Sequence, residues 1–156
     1  MIKINVIVAN KSWKKYIKNP KVYIKNKIKL LNNNSNFFKK KDIYFSLLLS
    51  GSQEIKIINK KFRKKNKITD ILSFPFHERK KIKKLFKKKI PFYLGDIIIN
   101  LDKITDQSNK KKNIKVEFDK LWIHGLAHLL GYRHKFNKDY TKMQKIENSF
   151  LTSLSK

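Results

Sequence analysis

The chain has 156 residues, of which 40% are hydrophobic, 39 are lysine or arginine and 11 are aspartate or glutamate. This hydrophobic fraction excludes a wholly disordered chain and is enough for one domain, residues 1–156, with a buried core. The absence of cysteine excludes disulfides and thiolate metal sites. No signal-peptide pattern and no apolar run of about 18 residues is present, which predicts a cytoplasmic protein without a membrane span.

The formal net charge of +28 comes almost entirely from lysine, since only Arg63, Arg79 and Arg133 are arginines. A field of this strength attracts polyanions, which favours RNA or DNA as a partner. The alternative is that the lysine excess reflects a base composition rich in A and T, because the codons of lysine, asparagine and isoleucine share that composition. The charge is compatible with both explanations.

In chain order, the first half of the sequence alternates strands with helices. Strands are predicted where apolar residues alternate or form a short continuous run, and helices where apolar residues recur at helical spacing. The predicted elements are a strand at 2–8, a helix at 21–31, a polar break at 32–36, a buried strand at 42–49, and a helix that has Ser52 as its N-cap and extends to Phe62.

The second half is predicted to contain two more strands and then helices. A turn and strand at 68–76 place Pro75 at the strand end or on a sheet edge. Residues 77–91 are predicted to be a solvated basic loop, with a short amphipathic helix as the alternative. The remaining elements are a strand at 95–100, helices at 101–109, 114–130 and 139–154, and a break at 110–113. This order predicts a mixed α/β (α+β) domain with a four-stranded sheet packed with helices.

Three of the four histidines fall within the segment HGLAHLLGYRH at 124–134. His124 and His128 are four residues apart, so they share one face of a helix. Gly131 favours the end of that helix and lets the chain bend back to present His134. Each histidine alone would ordinarily be a packed or exposed side chain, but the cluster predicts one divalent ion, zinc first among candidates. Three ligands leave an open fourth position, as in a catalytic zinc site.

The histidine spacing also matches the H-E-x-x-H-x-x-G-x-x-H motif of zinc proteases, in which glutamate is the general base. Residue 125 is glycine here. A glycine has no side chain to take a proton, so glutamate-assisted peptide hydrolysis through this position is excluded.

The histidine segment with its Gly125 resembles the signature H-G-x-L-H-L-x-G-y-D-H of the YbeY endoribonucleases, which are bacterial rRNA maturation factors. Two upstream blocks resemble further motifs of that family: NKKFR at 59–63 with TDILSFP at 69–75, and LGDIII at 94–99. The resemblance extends in order from about residue 50 to residue 150. Two positions depart from the pattern, because Arg133 replaces the usual aspartate and Ala127 the usual leucine.

The resemblance implies a zinc-dependent endoribonuclease specific for single-stranded RNA. Its implied roles are maturation of ribosomal RNA, notably the 3′ end of the small-subunit RNA, and ribosome quality control, with ribosomal RNA and the ribosome or its proteins as partners. The implied catalytic residues are the three histidines and Arg63, whose guanidinium would grip phosphate. Asp96 is a candidate to accept a hydrogen bond from a ligand histidine, Asp70 to cap a turn, and Ser73 to face the cleft or the sheet.

Two alternatives to this function remain open. Arg133 puts a cation beside His134 and removes any orienting role of an aspartate there, which leaves room for a non-catalytic ribosome-assembly or RNA-binding factor with a structural metal. A zinc hydrolase of peptides or esters is the other alternative, and Gly125 argues against it. In either RNA-directed case, the lysines of 77–91 and the rings of Phe86, Phe92 and Tyr93 would guide RNA by charge and stacking.

Overall fold

Four strands form the central sheet in the computed structural model, which describes residues 1–107 and 114–155. They are β1 (Ile2–Val8), β2 (Ile43–Ser50), β3 (Ile71–Pro75) and β4 (Phe92–Asn100). The strand order is β1-β2-β4-β3, with β1, β2 and β4 parallel and β3 antiparallel at the edge. The predicted mixed four-stranded sheet is confirmed, and Pro75 lies at the end of an edge strand, where its missing N–H is tolerated.

The helices follow the predicted order along the chain. They are α1 (Pro20–Asn34), α2 (Ser52–Arg63), α3 (Arg79–Lys88), α4 (Leu101–Gln107), α5 (Ile114–Leu129) and α6 (Asn137–Leu154), with short 3-10 helices at Lys11–Lys15 and Asn36–Phe38. The break predicted at 110–113 and the last residues of the helix predicted at 101–109 lie outside the described residues. Within the described part of the chain, none of the helices has the length and apolar character needed to cross a bilayer.

The two faces of the sheet have different neighbours. Phe45 and Leu47 of β2 are fully buried in a core that also contains Trp122 of α5 and residues of α1 and α6. Each such side chain contributes about 1.5–3 kcal/mol on burial. The opposite face packs against α2 in a smaller cluster around Ile55 and Leu72. Helix α5 packs against β3 and β4 on the core face, so it lies beside the edge strand β3.

Helix α1 is longer than predicted, and the polar break predicted at 32–36 is wrong in its first three residues. Asn32 accepts a hydrogen bond from the N–H of Ile2 at 2.8 Å and donates one to the Ile2 carbonyl at 2.9 Å. Asn34 donates to the carbonyl of Ser153 at 2.9 Å. These contacts with other elements offset the modest helix propensity of asparagine.

Helix α2 begins one residue earlier than the cap prediction implied, and the assignment of Ser52 as its N-cap is wrong. Gly51 is the N-cap, and its N–H donates to Glu54 at 3.2 Å. A Cβ at position 51 would lie 2.5 Å from the side-chain nitrogen of Asn10, so a larger residue there would displace the end of that side chain. The N–H of Ser52 instead donates to Asp102 at 2.9 Å.

The solvated loop predicted for 77–91 is also wrong, because most of this segment forms α3. Ile82 of α3 is buried, and Leu85 and Phe86 pack against the main core. The many lysines cover only the solvent-facing side of an amphipathic helix. The strand that follows starts at Phe92, three residues before the predicted start at Gly95. Gly95, with a φ of +139°, lies inside β4 at a bulge and does not begin the strand.

Candidate metal centre

Three histidine side chains converge at the C-terminal end of α5. The Nε2 atoms of His124 and His128 lie 3.1 Å apart. With His134 included, one nitrogen from each ring lies within 4.8 Å of the others. Two nitrogens bound to a tetrahedral zinc ion at about 2.05 Å would be roughly 3.3 Å apart, so His124 and His128 already have this spacing and His134 would move closer on binding such an ion. The structure thus brings together the three histidines that the sequence predicted as ligands.

The third histidine reaches the cluster because α5 ends in a Schellman motif. The N–H of Gly131 donates to the carbonyl of His128 at 2.9 Å, and the N–H of Tyr132 donates to that of Ala127 at 3.1 Å. Gly131 has a φ of +90°, and a Cβ there would lie 2.7 Å from the Cβ of Arg79. The chain therefore reverses at a glycine, as predicted, and carries His134 back towards the helix.

Gly125 lets α5 approach the sheet closely. A Cβ at this position would lie 2.9 Å from a methyl group of Ile97 in β4 and 3.1 Å from one of Ile71 in β3. The position therefore faces the sheet, whereas His124 beside it faces the cleft. A glutamate at residue 125 would point into the sheet and could not act on a substrate at the histidines. The structure thus gives a packing reason for the glycine that excludes glutamate-assisted peptide hydrolysis through this position.

Hydrogen bonds orient two of the three rings. Nδ1 of His124 lies 2.8 Å from Oε1 of Glu147 in α6, and Nδ1 of His128 lies 3.1 Å from the carbonyl oxygen of Tyr132. A carbonyl oxygen can only accept, so Nδ1 of His128 carries the proton and its Nε2 lone pair faces the cluster. Burial, and next the neighbouring His124, lower the pKa of His128 to about 4. This neutral imidazole has the protonation state that a metal ligand needs.

Glu147 takes the role predicted for Asp96, and that prediction is wrong. Asp96 accepts a hydrogen bond from the hydroxyl of Tyr93 and lines an apolar hollow with Ile58 and Phe62 of α2, on the other face of the sheet. A carboxylate that accepts from a ligand histidine fixes the tautomer and raises the basicity of the ring. The sequence offered no signal for Glu147, because it lies on a different helix, 23 residues from His124.

A cleft of about 590 Å³ opens beside the histidines. Arg63, at the end of α2, lines it together with the three histidines, as predicted. The Nη2 of Arg63 donates to the carbonyl of Ser73 at 2.7 Å, and the guanidinium lies 5.2 Å from the ring centroid of Phe74. Arg133 and Lys135 also line the cleft. Among the described residues, no carboxylate lines it, so its chemistry suits an anionic substrate.

The other two candidate residues lie close to this cleft. Ser73 lines the cleft, which is one of its two predicted positions. The side chain of Asp70 accepts a hydrogen bond from the hydroxyl of Thr69 at 3.3 Å, and its carbonyl accepts one from the N–H of Asn100 at 2.8 Å. Asp70 therefore stabilises the entry into β3, in keeping with its predicted role in a turn.

Comparisons with known proteins agree with this geometry. The family model described as Endoribonuclease YbeY matches residues 7–155. A Pelagibacter ubique protein named Endoribonuclease YbeY is 42% identical over 153 residues, 95% of this chain and 93% of that protein. An Ehrlichia canis protein of the same name is 36% identical over 156 residues, 99% of this chain and 93% of that protein. The solution structure of a Thermotoga maritima protein, 21% identical, has the same fold with a TM-score of 0.56, covering 99% of this chain and 89% of that one.

Proposed function

Because the chain belongs to the YbeY endoribonuclease family, we propose that it is a metal-dependent endoribonuclease that cleaves single-stranded RNA. The observation that carries this proposal is the cleft in which Arg63 and the three clustered histidines meet. We further propose that residues 1–156 act as one catalytic domain on ribosomal RNA, notably at the 3′ end of the small-subunit RNA, and in ribosome quality control. Its place of action would then be the cytoplasm, where ribosomes mature in bacteria.

The proposed cofactor is a single zinc ion held by His124, His128 and His134. An all-imidazole ligand set suits zinc and related transition metals, whereas magnesium and calcium prefer oxygen ligands. A divalent ion at this position supplies Lewis-acid chemistry, because it polarises a phosphoryl oxygen and lowers the pKa of water to about 7. Glu147 supports the proposal by holding the ring of His124 in the orientation that directs Nε2 at the ion.

Arg63 is proposed to bind the scissile phosphate. Its hydrogen bond to Ser73 and its position over Phe74 fix the guanidinium at the cleft wall. The bond to Ser73 engages one nitrogen, which leaves other N–H groups to donate to phosphate oxygens in a forked geometry. Such donors act most strongly when negative charge builds up on the phosphoryl group in the transition state.

RNA is favoured over peptide or ester substrates by the charge of the cleft. Arg63, Arg133 and Lys135 line it without a carboxylate among the described residues, which is the pattern that a phosphodiester backbone requires. A peptidase would need a general base, and position 125 faces the sheet instead of the cleft. Affinity for RNA is expected to fall steeply with salt concentration.

The experiment is cleavage of a labelled single-stranded RNA by purified protein, before and after metal removal with a chelator, with casein as a parallel substrate. RNA cleavage should stop on metal removal and return with zinc. His128→Ala should fold and bind RNA without cleaving it. Lys120→Gln, an exposed change on the same helix, is the matched control and should cleave at the normal rate. Cleavage by His128→Ala at the normal rate would refute the catalytic proposal, and binding without cleavage by the zinc-loaded protein would support a non-catalytic RNA-binding factor.

Arg63→Lys tests the second element of the proposal. Lysine keeps the charge and loses the planar fork, so we expect kcat to fall about a hundredfold, as when one donor to transition-state charge is removed. Lys56→Ala, on α2 but outside the cleft, is the control and should leave kcat unchanged. Equal turnover by Arg63→Lys and the unmodified protein would remove Arg63 from the mechanism.

A further inference from the structure

A second cleft, of about 430 Å³, adjoins the histidine cleft. Its walls are the segment from Pro75 to the first turn of α3, the reversal at Gly131, and the start of α6. His128 and Arg133 line both clefts. The two cavities therefore meet at these residues, next to the clustered histidines.

Arg133 stands at the junction of the two clefts, where the family pattern led us to expect aspartate. Its side chain is exposed and makes no hydrogen bond or ion pair within the described ranges 1–107 and 114–155. Exchange of an aspartate for an arginine changes the local charge by two units. Such a guanidinium has all its donors available for a ligand, and a phosphate matches its fork.

Two more cations line the second cleft. Arg79 is held in place, because its stem packs against Gly131 and its guanidinium lies 5.0 Å from the ring centroid of Tyr132. Lys80 follows it at the start of α3. With Arg133, the three cations of this cleft outnumber its two carboxylates, Glu78 and Asp139.

Both carboxylates lie at helix N-termini, which reduces their effect on an anionic ligand. Glu78 is the N-cap residue of α3, and Asp139 lies in the first turn of α6. The backbone N–H groups at these ends carry a partial positive charge that offsets a nearby carboxylate. The cleft therefore remains suited to a phosphate close to Arg133.

The second cleft also has an aromatic edge. The ring of His77 lines it and packs against the ring of Phe92, with ring centroids 5.8 Å apart. Rings next to cations are the arrangement on which single-stranded nucleic acids stack their bases.

We propose that the second cleft binds the nucleotide that flanks the scissile phosphate of single-stranded RNA. Arg133 binds the phosphate of this nucleotide, and the ring of His77 receives its base. The inference rests on the proposed function, since it assigns a position to the neighbouring nucleotide of the same substrate. It gives Arg133 a binding role in this chain that an aspartate could not perform.

The test compares Arg133→Asp with Lys142→Asp, which makes the same charge change on α6 outside both clefts. In steady-state cleavage of a single-stranded RNA by the zinc-loaded protein, Arg133→Asp should raise KM at least tenfold with little change in kcat. For this variant, the slope of log Kd against log salt concentration should decrease by the amount that corresponds to about one phosphate contact. Arg133→Lys should recover part of the lost affinity. Equal KM values for Arg133→Asp and Lys142→Asp would overturn the inference. An unmodified protein that cleaves no RNA would instead overturn the proposed function.

The base contact is tested with His77→Ala on two RNAs that differ only in whether the flanking nucleotide carries a base. The variant should weaken binding of the intact RNA about tenfold, which is within the range for loss of one stacked base. It should bind the abasic RNA as well as the unmodified protein does, and His77→Phe, which keeps a ring at this position, should restore binding of the intact RNA. An equal loss on both RNAs would contradict the stacking role.

Discussion

Removal of the Glu147 carboxylate should weaken metal binding without unfolding the protein. This carboxylate lies 2.8 Å from Nδ1 of His124, on a helix that carries none of the three histidines. Glu147→Ala leaves the ring free to rotate and lowers its basicity, so Nε2 binds a cation less well. Glu147→Gln keeps an acceptor without the charge and should lie between the unmodified protein and Glu147→Ala.

The size of the effect follows from the exposure of the pair. A hydrogen bond to a charged group contributes about 1.5–3 kcal/mol, and partial solvation reduces this value. The side chains of His124 and Glu147 are 33% and 23% exposed, so the lower end applies. About 1.4 kcal/mol corresponds to a tenfold change in Kd. We therefore expect Glu147→Ala to raise the Kd for zinc about 10- to 30-fold, within the 10- to 100-fold range typical of residues that orient metal ligands.

The assay is competition for zinc with a chromogenic chelator of known affinity, with circular dichroism to verify folding. Glu117→Gln is the matched control, because Glu117 is an exposed glutamate of α5 that pairs with Lys120. It should bind zinc as tightly as the unmodified protein. If Glu147→Ala also binds zinc with unchanged affinity, Glu147 does not orient the ligand and the account of the centre is wrong on this point.

Three further predictions concern the free energy of unfolding, measured by urea denaturation. Gly131→Ala should lower it by roughly 2–4 kcal/mol, because φ is +90° and the new methyl would meet Arg79 at its Cα and Cβ. Gly125→Ala should lower it by about 1–2 kcal/mol, because overpacking against the methyl groups of Ile97 and Ile71 exceeds what alanine gains in a helix. Asn32→Ala should lower it by about 1–3 kcal/mol, because two hydrogen bonds to the start of β1 are lost.

Local patterns in the sequence were enough to predict most of the fold. The alternation in residues 2–8 and the apolar run at 42–49 led directly to strands, because burial on one or both faces leaves a clear periodicity. The turn at Gly131 and the convergence of His128 and His134 followed from helix geometry and glycine chemistry. These features depend on neighbours within about ten residues along the chain.

Features decided by distant contacts could not be predicted in the same way. The extension of α1 through Asn32 depends on the backbone of β1, and the helix at Arg79–Lys88 depends on a buried surface that receives Ile82. The lysine-rich composition of residues 77–91 favoured a loop, although the alternative of a short amphipathic helix was the correct element. Glu147 was missed because only the packing of α6 against α5 brings it to His124.

Metal content measured by elemental analysis tests the central claim most directly, because every proposed step depends on three histidines that hold one ion. The account predicts about one zinc ion per chain in the purified, zinc-loaded protein, and a large loss of bound zinc in His128→Ala and in His134→Ala, both still folded. Full zinc content in either variant, or none in the unmodified protein at saturating zinc, would contradict it.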